Sequence, residues 1–179
     1  MHKFITLFLL TLLLCIGSGC ATKWHLDYQP SSEISAQGRI IDITVINSVA
    51  QREGLEPNRI PSRTPGKLYM TENLEDFVRN ALYKEIRFIG VRTGEGDVRL
   101  RVKVQEFRMI IGVFDAQMES DVLLEFELFD RNANIILRKE YFSSGVSNNS
   151  TPNFKILNKN IRKCIEQAFQ DKDFKEKIK

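Results

Sequence analysis

Three cysteines are the residues of this chain whose chemistry depends most on their surroundings, and two of them, Cys15 and Cys20, stand only five residues apart. Such a pair can form a disulfide, remain as two buried thiols, or include a cysteine that is modified after the chain is cleaved. The third, Cys164, falls on the apolar stripe of a predicted helix. We therefore expect Cys164 to be a small core residue rather than a nucleophile.

The residues before Cys20 narrow this choice. A basic start, Met1 to Lys3, is followed by 13 mostly apolar residues at 4–16 and then by the small residues Gly17 to Gly19. A membrane-spanning helix needs about 20 apolar residues, whereas a secretory signal carries about 7–15. The stretch resembles a bacterial lipoprotein signal, in which the cysteine after the cleaved peptide is acylated and becomes the first residue.

This resemblance implies a signal peptide at 1–19, lipidation of Cys20 with fatty acids such as palmitate, and a lipidated N-terminus with a polar tether at 20–38. Only Cys164 then remains as a thiol, so no disulfide forms within the chain, although the compartment would allow one. The alternative is an ordinary cleaved signal that leaves Cys20 as a free thiol. In the tether, Trp24 and Tyr28 either lie at the membrane interface or pack on the domain.

The rest of the chain offers little catalytic or metal-binding chemistry. The one histidine after the signal is His25, so we expect no metal site built from His or Cys clusters. The sequence has no Gly-rich phosphate loop, no G-x-S-x-G motif and no Cys-His pairing, and we expect no cofactor and no enzyme activity. Five carboxylates could in principle pair for acid–base catalysis, but their spacing does not favour it. They are Asp42, Asp97, Glu106, Asp115 and Glu119.

The charge balance excludes one further class of function. The chain has 26 basic and 23 acidic residues, a net charge of +3, and no aromatic-basic motif, so we expect no nucleic acid partner.

The hydrophobic periods predict the elements that position these residues. RIIDITVIN at 39–47 alternates like a half-buried strand, with Ile41, Ile43 and Val45 on the inner face. Residues 48–70 hold three prolines and two glycines without a period, which predicts a loop of about 20 residues. Thr71 is then a candidate N-cap for an amphipathic helix that ends near Phe88.

Three strands and a second helix follow. The alternation that starts at Val98 changes phase after Glu106, which predicts a β-bulge. Two further strands at 122–128 and 135–141 are joined by a turn at 130–134, and Ile135 is expected to face inward. The last helix is predicted to begin at Thr151 and Pro152. Beyond it, Phe174 and Ile178 are candidate anchors of the C-terminal tail.

The order is therefore β-α-β-β-β-α, with one apolar stripe on each helix and one apolar face on each strand. The pattern predicts an α+β fold, a two-layer sandwich in which two helices pack on one face of a four-stranded sheet. We assign residues 39–179 to a single α+β periplasmic domain. Phe77 and Leu124 are expected to be buried in the two layers of its core.

The outward faces of the predicted strands carry opposite charges. A turn centred on residue 114 places Lys103 opposite Glu125 and Arg101 opposite Glu127. A tight two-residue turn at 131–132 places Glu125 opposite Arg138. Opposite charges across strands contribute about 0.2–1 kcal/mol each. We interpret this as a solvated sheet face, with a recognition surface as the alternative.

Several stretches are similar to those of one known family. They are VIN followed by Gln51 and Arg52, NLEDFVRNAL, VRLRVKVQEF, LNKNIRKCIEQAF and DFKEKI. With the signal, they make most of the mature chain resemble the YajG-type lipoproteins of Gram-negative outer membranes. The resemblance implies an outer-membrane lipoprotein that faces the periplasm, and it implies no activity.

The hypothesis from sequence is a non-enzymatic, lipid-anchored adaptor or assembly accessory that binds another envelope component. One alternative is a lipid-binding accessory of an envelope transport system, which a closed apolar cavity between helices and sheet would favour. The other is an enzyme that acts on cell-wall glycan or lipid.

The predicted loop at 48–70 holds the candidate partner-binding residues Arg52, Arg59 and Arg63. Arginine suits bidentate contact with the carboxylates or phosphates of an envelope protein or an anionic envelope polymer. A solvated connection between two elements is the alternative interpretation of this loop.

Replacement of the anchor cysteine tests the lipoprotein hypothesis. In Cys20→Ala the acyl acceptor is lost, so the protein should carry no acyl chains and should leave the membrane fraction. The intact mass of the mature wild type is the deciding measurement. A mature N-terminus at another residue, or a Cys20 without lipid, would contradict the hypothesis.

Overall fold

The computed structural model describes residues 21–30, 33–62, 67–111, 117–147 and 155–179, which form nine strands and four helices. The strands are β1 Ala21–Trp24, β2 Arg39–Ile40, β3 Ile43–Ile46, β4 Arg59–Ile60, β5 Lys67–Met70, β6 Arg92–Thr93, β7 Arg99–Ile111, β8 Met118–Phe129 and β9 Ile135–Ser147. The helices are α1 Ser48–Glu53, α2 Leu74–Phe88, α3 Lys155–Gln170 and α4 Lys172–Ile178.

The main sheet has four strands in the order β3-β7-β8-β9. Strand β3 runs parallel to β7, and the other neighbouring pairs are antiparallel. Helix α2 packs against β3 and helix α3 against β8 and β9. The predicted α+β fold, with a four-stranded sheet and helices packed against it, is confirmed.

The core lies between the helices and the inner face of the sheet. Phe77 and Leu124 are buried, as predicted. Phe174 packs edge-to-face on Phe126 and Phe169, with ring centroids 5.9 and 5.0 Å apart. Phe174 and Ile178 are both buried, so the predicted anchors hold α4 on the domain.

The predicted β-bulge is confirmed in β7. The register with β8 shifts between Val104 and Glu106, which leaves Gln105 as the additional residue. The bulge keeps Phe107 and Met109 on the buried face even though the alternation has changed phase.

The strand predicted at 39–47 is two strands. Its first part, β2, pairs with β6, whereas β3 pairs with β7. The break lies at Ile41 and Asp42, where the Asp42 carboxylate accepts a hydrogen bond from the Ile43 amide at 2.8 Å. Ile41 is only partly buried, so its predicted place on the inner face is wrong.

The segment 48–70 is more ordered than a loop. The Asn47 side chain accepts a hydrogen bond from the Ala50 amide at 3.0 Å and thereby caps α1, which ends at Gly54 with φ of 63°. Strands β1, β5 and β4 form a second, small sheet. The prediction of a structureless connection is therefore wrong, because capping and strand pairing organise its described part.

Residues 21–38, predicted as a tether, contact the domain in their described part. Strand β1 pairs with β5, and Leu26, Tyr28 and Ala36 are buried. For Tyr28 the structure selects packing on the domain, the second of the two alternatives.

The helix starts differ from the sequence prediction. Helix α2 follows Asn73 rather than Thr71, whose hydroxyl lies 3.2 Å from Nδ1 of His25. The helix ends at Phe88, as predicted. Thr151 and Pro152 lie outside the described residues, and so do Cys15 and Cys20.

Truncation of Phe77 tests the core. Phe77→Ala removes a buried ring and should lower the free energy of unfolding by about 3–5 kcal/mol in urea titrations. Phe88→Ala is the matched control, because Phe88 is 56% exposed, and its loss should stay within about 0.5 kcal/mol. Equal effects of the two substitutions would contradict the assigned core.

Candidate interaction surface

The side of the main sheet opposite α2 and α3 is here named the outer sheet face. Its side chains project from alternate positions of β7, β8 and β9. Several remain accessible to solvent: the side chain of Arg138 is 55% exposed, and Phe142 and Val146 are 49% and 58% exposed. This face is therefore open to contact with another molecule.

The Glu127 carboxylate lies at the centre of one half of this face and is fully buried. Its Oε1 accepts hydrogen bonds of 2.8 Å from Lys103 Nζ and from Arg138 Nε. Nη2 of Arg138 forms an ion pair with the same oxygen at 2.7 Å. Nη1 of Arg101 lies 3.5 Å from Oε2. One carboxylate thus holds three cations from the two strands that flank β8.

A second carboxylate extends the network. Glu125 accepts hydrogen bonds from Lys103 Nζ at 2.8 Å and from Gln105 Nε2 at 3.1 Å. The guanidinium of Arg101 lies 4.4 Å from the centre of the Phe129 ring, a cation–π contact. Lys103 and Arg138 are thereby held by hydrogen bonds, and Arg101 by an ion pair and a ring contact, before any partner arrives.

The network determines the protonation of its members. Burial by itself would raise the pKa of the Glu127 carboxyl, but hydrogen bonds from Lys103 and Arg138 outweigh it and hold the pKa below its usual value. Hydrogen bonds to Glu125 and Glu127 raise the pKa of Lys103. Glu127 and Lys103 are therefore both charged at neutral pH.

Two of the three predicted cross-strand pairs are confirmed: Lys103 lies opposite Glu125, and Arg101 lies opposite Glu127. The third is wrong by two residues, because Arg138 lies opposite Glu127, and Glu125 faces Glu140.

The cause of the shift is the turn. It extends from Asp130 to Asn134, which are joined by a backbone hydrogen bond of 3.0 Å, and a second register shift follows Leu128. The same shift leaves Ile135 46% exposed, against its predicted inward orientation.

The interpretation as a solvated face is correct for Arg138 but wrong for the two carboxylates. Glu127 is fully buried and Glu125 is only 8% exposed. The sequence contains a signal for this, since cations flank both carboxylates at alternate positions of neighbouring strands. The cations converge on Glu127 only when β9 pairs in the observed register, and the sequence pattern predicted a different register.

The two halves of the outer sheet face differ in charge. Around Glu127 the described strands carry four cations and three carboxylates, whereas the half towards residues 111 and 118 carries three carboxylates and one cation among apolar side chains. The first half holds Arg99, Arg101, Lys103, Glu125, Glu127, Arg138 and Glu140. The second holds Glu106, Arg108, Ile110, Glu119, Asp121, Leu123, Phe142 and Val146.

The three arginines predicted to bind a partner are placed as follows. Nη2 of Arg52 donates a hydrogen bond at 3.0 Å to the carbonyl of Gln105, the bulge residue. Arg59 lies in β4, opposite Tyr69 in the small sheet, so its neighbours differ from those of Arg52. Arg63 lies outside the described residues. Beside Arg52, an open cleft of about 380 Å³ reaches Arg108 on the outer sheet face.

Two buried polar contacts were not predicted. The Tyr28 hydroxyl donates a hydrogen bond at 2.6 Å to Glu85, which ties the N-terminal segment to α2. Asn160 on α3 donates to the carbonyl of Ser120 at 2.9 Å and accepts from the Ser143 hydroxyl at 3.0 Å. Both Glu85 and Asn160 interrupt apolar stripes, which is the signal that could have identified them.

Cys164 occupies the core, as predicted. It is fully buried, and burial raises the pKa of its thiol to about 12. A thiol in this state is a poor nucleophile.

In the described part of the chain, no group of three or more His, Cys, Asp or Glu side chains is placed to hold a metal ion. None of the helices described is both long and apolar enough to cross a membrane. Buried side chains fill the space between the sheet and helices α2 and α3, among them Leu82, Phe126 and Phe169.

Comparison with solved structures relates the fold to protein XCC0632 from Xanthomonas campestris, described with the family model DUF330. The TM-score is 0.56 at 10% sequence identity, over 83% of this chain and 90% of that chain. A minor lipoprotein from Acinetobacter baumannii gives a TM-score of 0.40 at 10% identity, over 74% and 92% of the two chains. No family model and no curated protein matches the sequence. The first similarity concerns the fold alone, and the second is too low to support an argument.

Neutralisation of Glu127 tests the network. At pH 7, Glu127→Gln should lower the free energy of unfolding by about 1–3 kcal/mol, because it removes charged hydrogen bonds. Since the folded pKa of Glu127 is lowered, its stabilisation is present above the unfolded pKa and is lost as the pH falls through the folded pKa. The difference between wild type and variant should therefore shrink in urea titrations at about pH 3.

Glu140→Gln is the matched control, an exposed glutamate on the same face. Its effect should remain within about 0.5 kcal/mol. A loss at Glu127 that does not change between the two pH values would contradict an ionised carboxylate at this position.

Proposed function

We propose that the protein is a lipid-anchored lipoprotein of the outer membrane that faces the periplasm and works without catalysis. In this proposal it is an adaptor or assembly accessory that binds another envelope component through the outer sheet face. The signal, Cys20 and the resemblance to YajG-type lipoproteins support the compartment. The charged and exposed outer sheet face supports the binding role.

One observation carries the binding role: three cations are held by a carboxylate that is itself fully buried. A long cationic side chain that is free in solution loses about 0.5–1.5 kcal/mol of entropy when a partner immobilises it. Here Arg101, Lys103 and Arg138 are already held in the free protein, so this cost is reduced. Carboxylates or other anions of the partner would meet positions that are fixed in advance.

The other half of the face supplies a different contact. Phe142 and Val146 are exposed apolar side chains; Val146 lies opposite Glu119, and Phe142 lies opposite Leu123 and two residues from Glu140. Aromatic residues and arginine are the types enriched in protein interfaces. The combination favours an envelope protein over a uniformly anionic polymer, because a polymer would be repelled by the acidic half.

The two alternatives receive less support. A lipid carrier needs a cavity between helices and sheet, and the described core at that place is packed with side chains. An enzyme needs a nucleophile or an acid–base pair, and the Cys164 thiol is buried with a raised pKa.

Photocrosslinking in intact cells tests the proposed surface. A photoreactive amino acid at Phe142 or Val146 should give a specific adduct that mass spectrometry can identify. The control is the same probe at Phe88, an exposed residue at the end of α2 on the other layer. Arg101→Ala together with Arg138→Ala should weaken the adducts at both outer positions. Adducts equally strong at Phe88, or none at Phe142 and Val146, would contradict the proposal.

A further inference from the structure

The described chain begins as a strand at the residue that follows Cys20. Ala21 is the first residue of β1 and lies opposite Lys67 in the small sheet. If Cys20 is acylated, as the proposed function holds, no free linker separates the lipid from the paired strand. The small sheet must then lie close to the membrane surface.

The pairing register places three cations on one side of this sheet. Lys23 lies opposite Tyr69, and Tyr69 lies opposite Arg59, so Lys23 and Arg59 project to the same side. Lys67, two residues before Tyr69, shares that side. The opposite side holds Leu68 and Ile60, which are 8% and 1% exposed and belong to the core. Tyr69, between Lys23 and Arg59, is also only 9% exposed, but it is not part of the core cluster that contains Leu68 and Ile60. The cations are therefore on the side that faces away from that core.

These cations are not neutralised within the described part of the protein. Lys23 and Lys67 are exposed, Arg59 is partly exposed, and none of them forms a salt bridge with a described residue. On this side the Tyr69 hydroxyl donates a hydrogen bond of 3.4 Å to the Glu56 carboxylate. This sheet side thus keeps an excess of positive charge next to the anchor.

We propose that this side of the small sheet rests on the membrane, with Lys23, Arg59 and Lys67 in contact with the phosphates of anionic lipids. Lys23 is two residues from Ala21, about 7 Å along a strand, which is within the distance over which a surface potential acts at physiological salt. Each basic residue near an anionic leaflet raises the ratio of docked to undocked protein by about fivefold. Three such residues would hold the domain in one orientation, with a defined side against the lipid.

Lysine acylation measures this contact directly. The full chain is reconstituted into vesicles of neutral phosphatidylcholine, or into vesicles in which about one lipid in three is phosphatidylglycerol. A water-soluble acylating reagent is added, and the modified lysines are quantified by mass spectrometry. Lys23 and Lys67 should react several-fold more slowly on anionic vesicles, whereas Lys163 and Lys172, which are exposed on α3 and α4, should keep their rates.

Single substitutions test whether the charge of the patch causes the protection of Lys23 and Lys67. Arg59→Gln should reduce the protection of Lys23 and Lys67, because it removes one charge from the patch. Arg59→Lys should retain the protection, since a lipid surface requires charge rather than guanidinium geometry. Lys163→Gln is the charge-matched control and should have no effect. Lys23 and Lys67 that react equally on both kinds of vesicle, or an equal effect of Arg59→Gln and Lys163→Gln, would overturn the proposal.

The intact mass of the same samples reports separately on Cys20. The footprint itself does not require acyl chains, because docking on anionic vesicles depends on the charges of Lys23, Arg59 and Lys67. Protection of Lys23 and Lys67 without acyl chains would refute the proposed lipidation and leave the docked orientation standing. Acyl chains on Cys20 without protection of Lys23 and Lys67 would support the lipidation and refute the docked orientation.

Discussion

The buried carboxylate of Glu127 is the interaction on which the exposed side of the sheet depends. A charge removed from water is costly unless charged hydrogen bonds replace its hydration. Here they come from Lys103 on β7 and Arg138 on β9, with Arg101 close by. These pairs require one register for three strands, and a slip of one residue would turn the charges into the core.

The register that satisfies Glu127 also determines what the helices bury. With the charged side chains directed outward, Val104, Leu124 and Phe126 point inward and meet α2 and α3. The N-terminal segment closes the packing, because Tyr28 reaches the buried Glu85. The two faces of the sheet thus perform different tasks: one stabilises the domain and the other remains available to a partner.

The sequence predicted the parts that depend on local period and missed those that depend on distant pairing. Alternation and helical stripes predicted the fold class, the bulge near Gln105 and the burial of Phe77. The wrong pairing of Arg138 came from the length of one turn, which alternation does not encode. The small sheet was missed because the pairing of β5 with β1 joins residues far apart in sequence, and because β4 has only two residues, too few to show an alternation. The burial of Glu127 was missed because three cations must converge before a carboxylate can be buried.

The outer sheet face presents charges that are fixed by an ionised, buried carboxylate. The most direct measurement is the pKa of Glu127 itself, obtained from the pH titration of its side-chain carbon resonance by NMR. We expect a value below the ordinary glutamate pKa of about 4.3. A value at or above that ordinary pKa would mean that burial dominates and that no charge holds the cations, which would contradict the role assigned to Glu127.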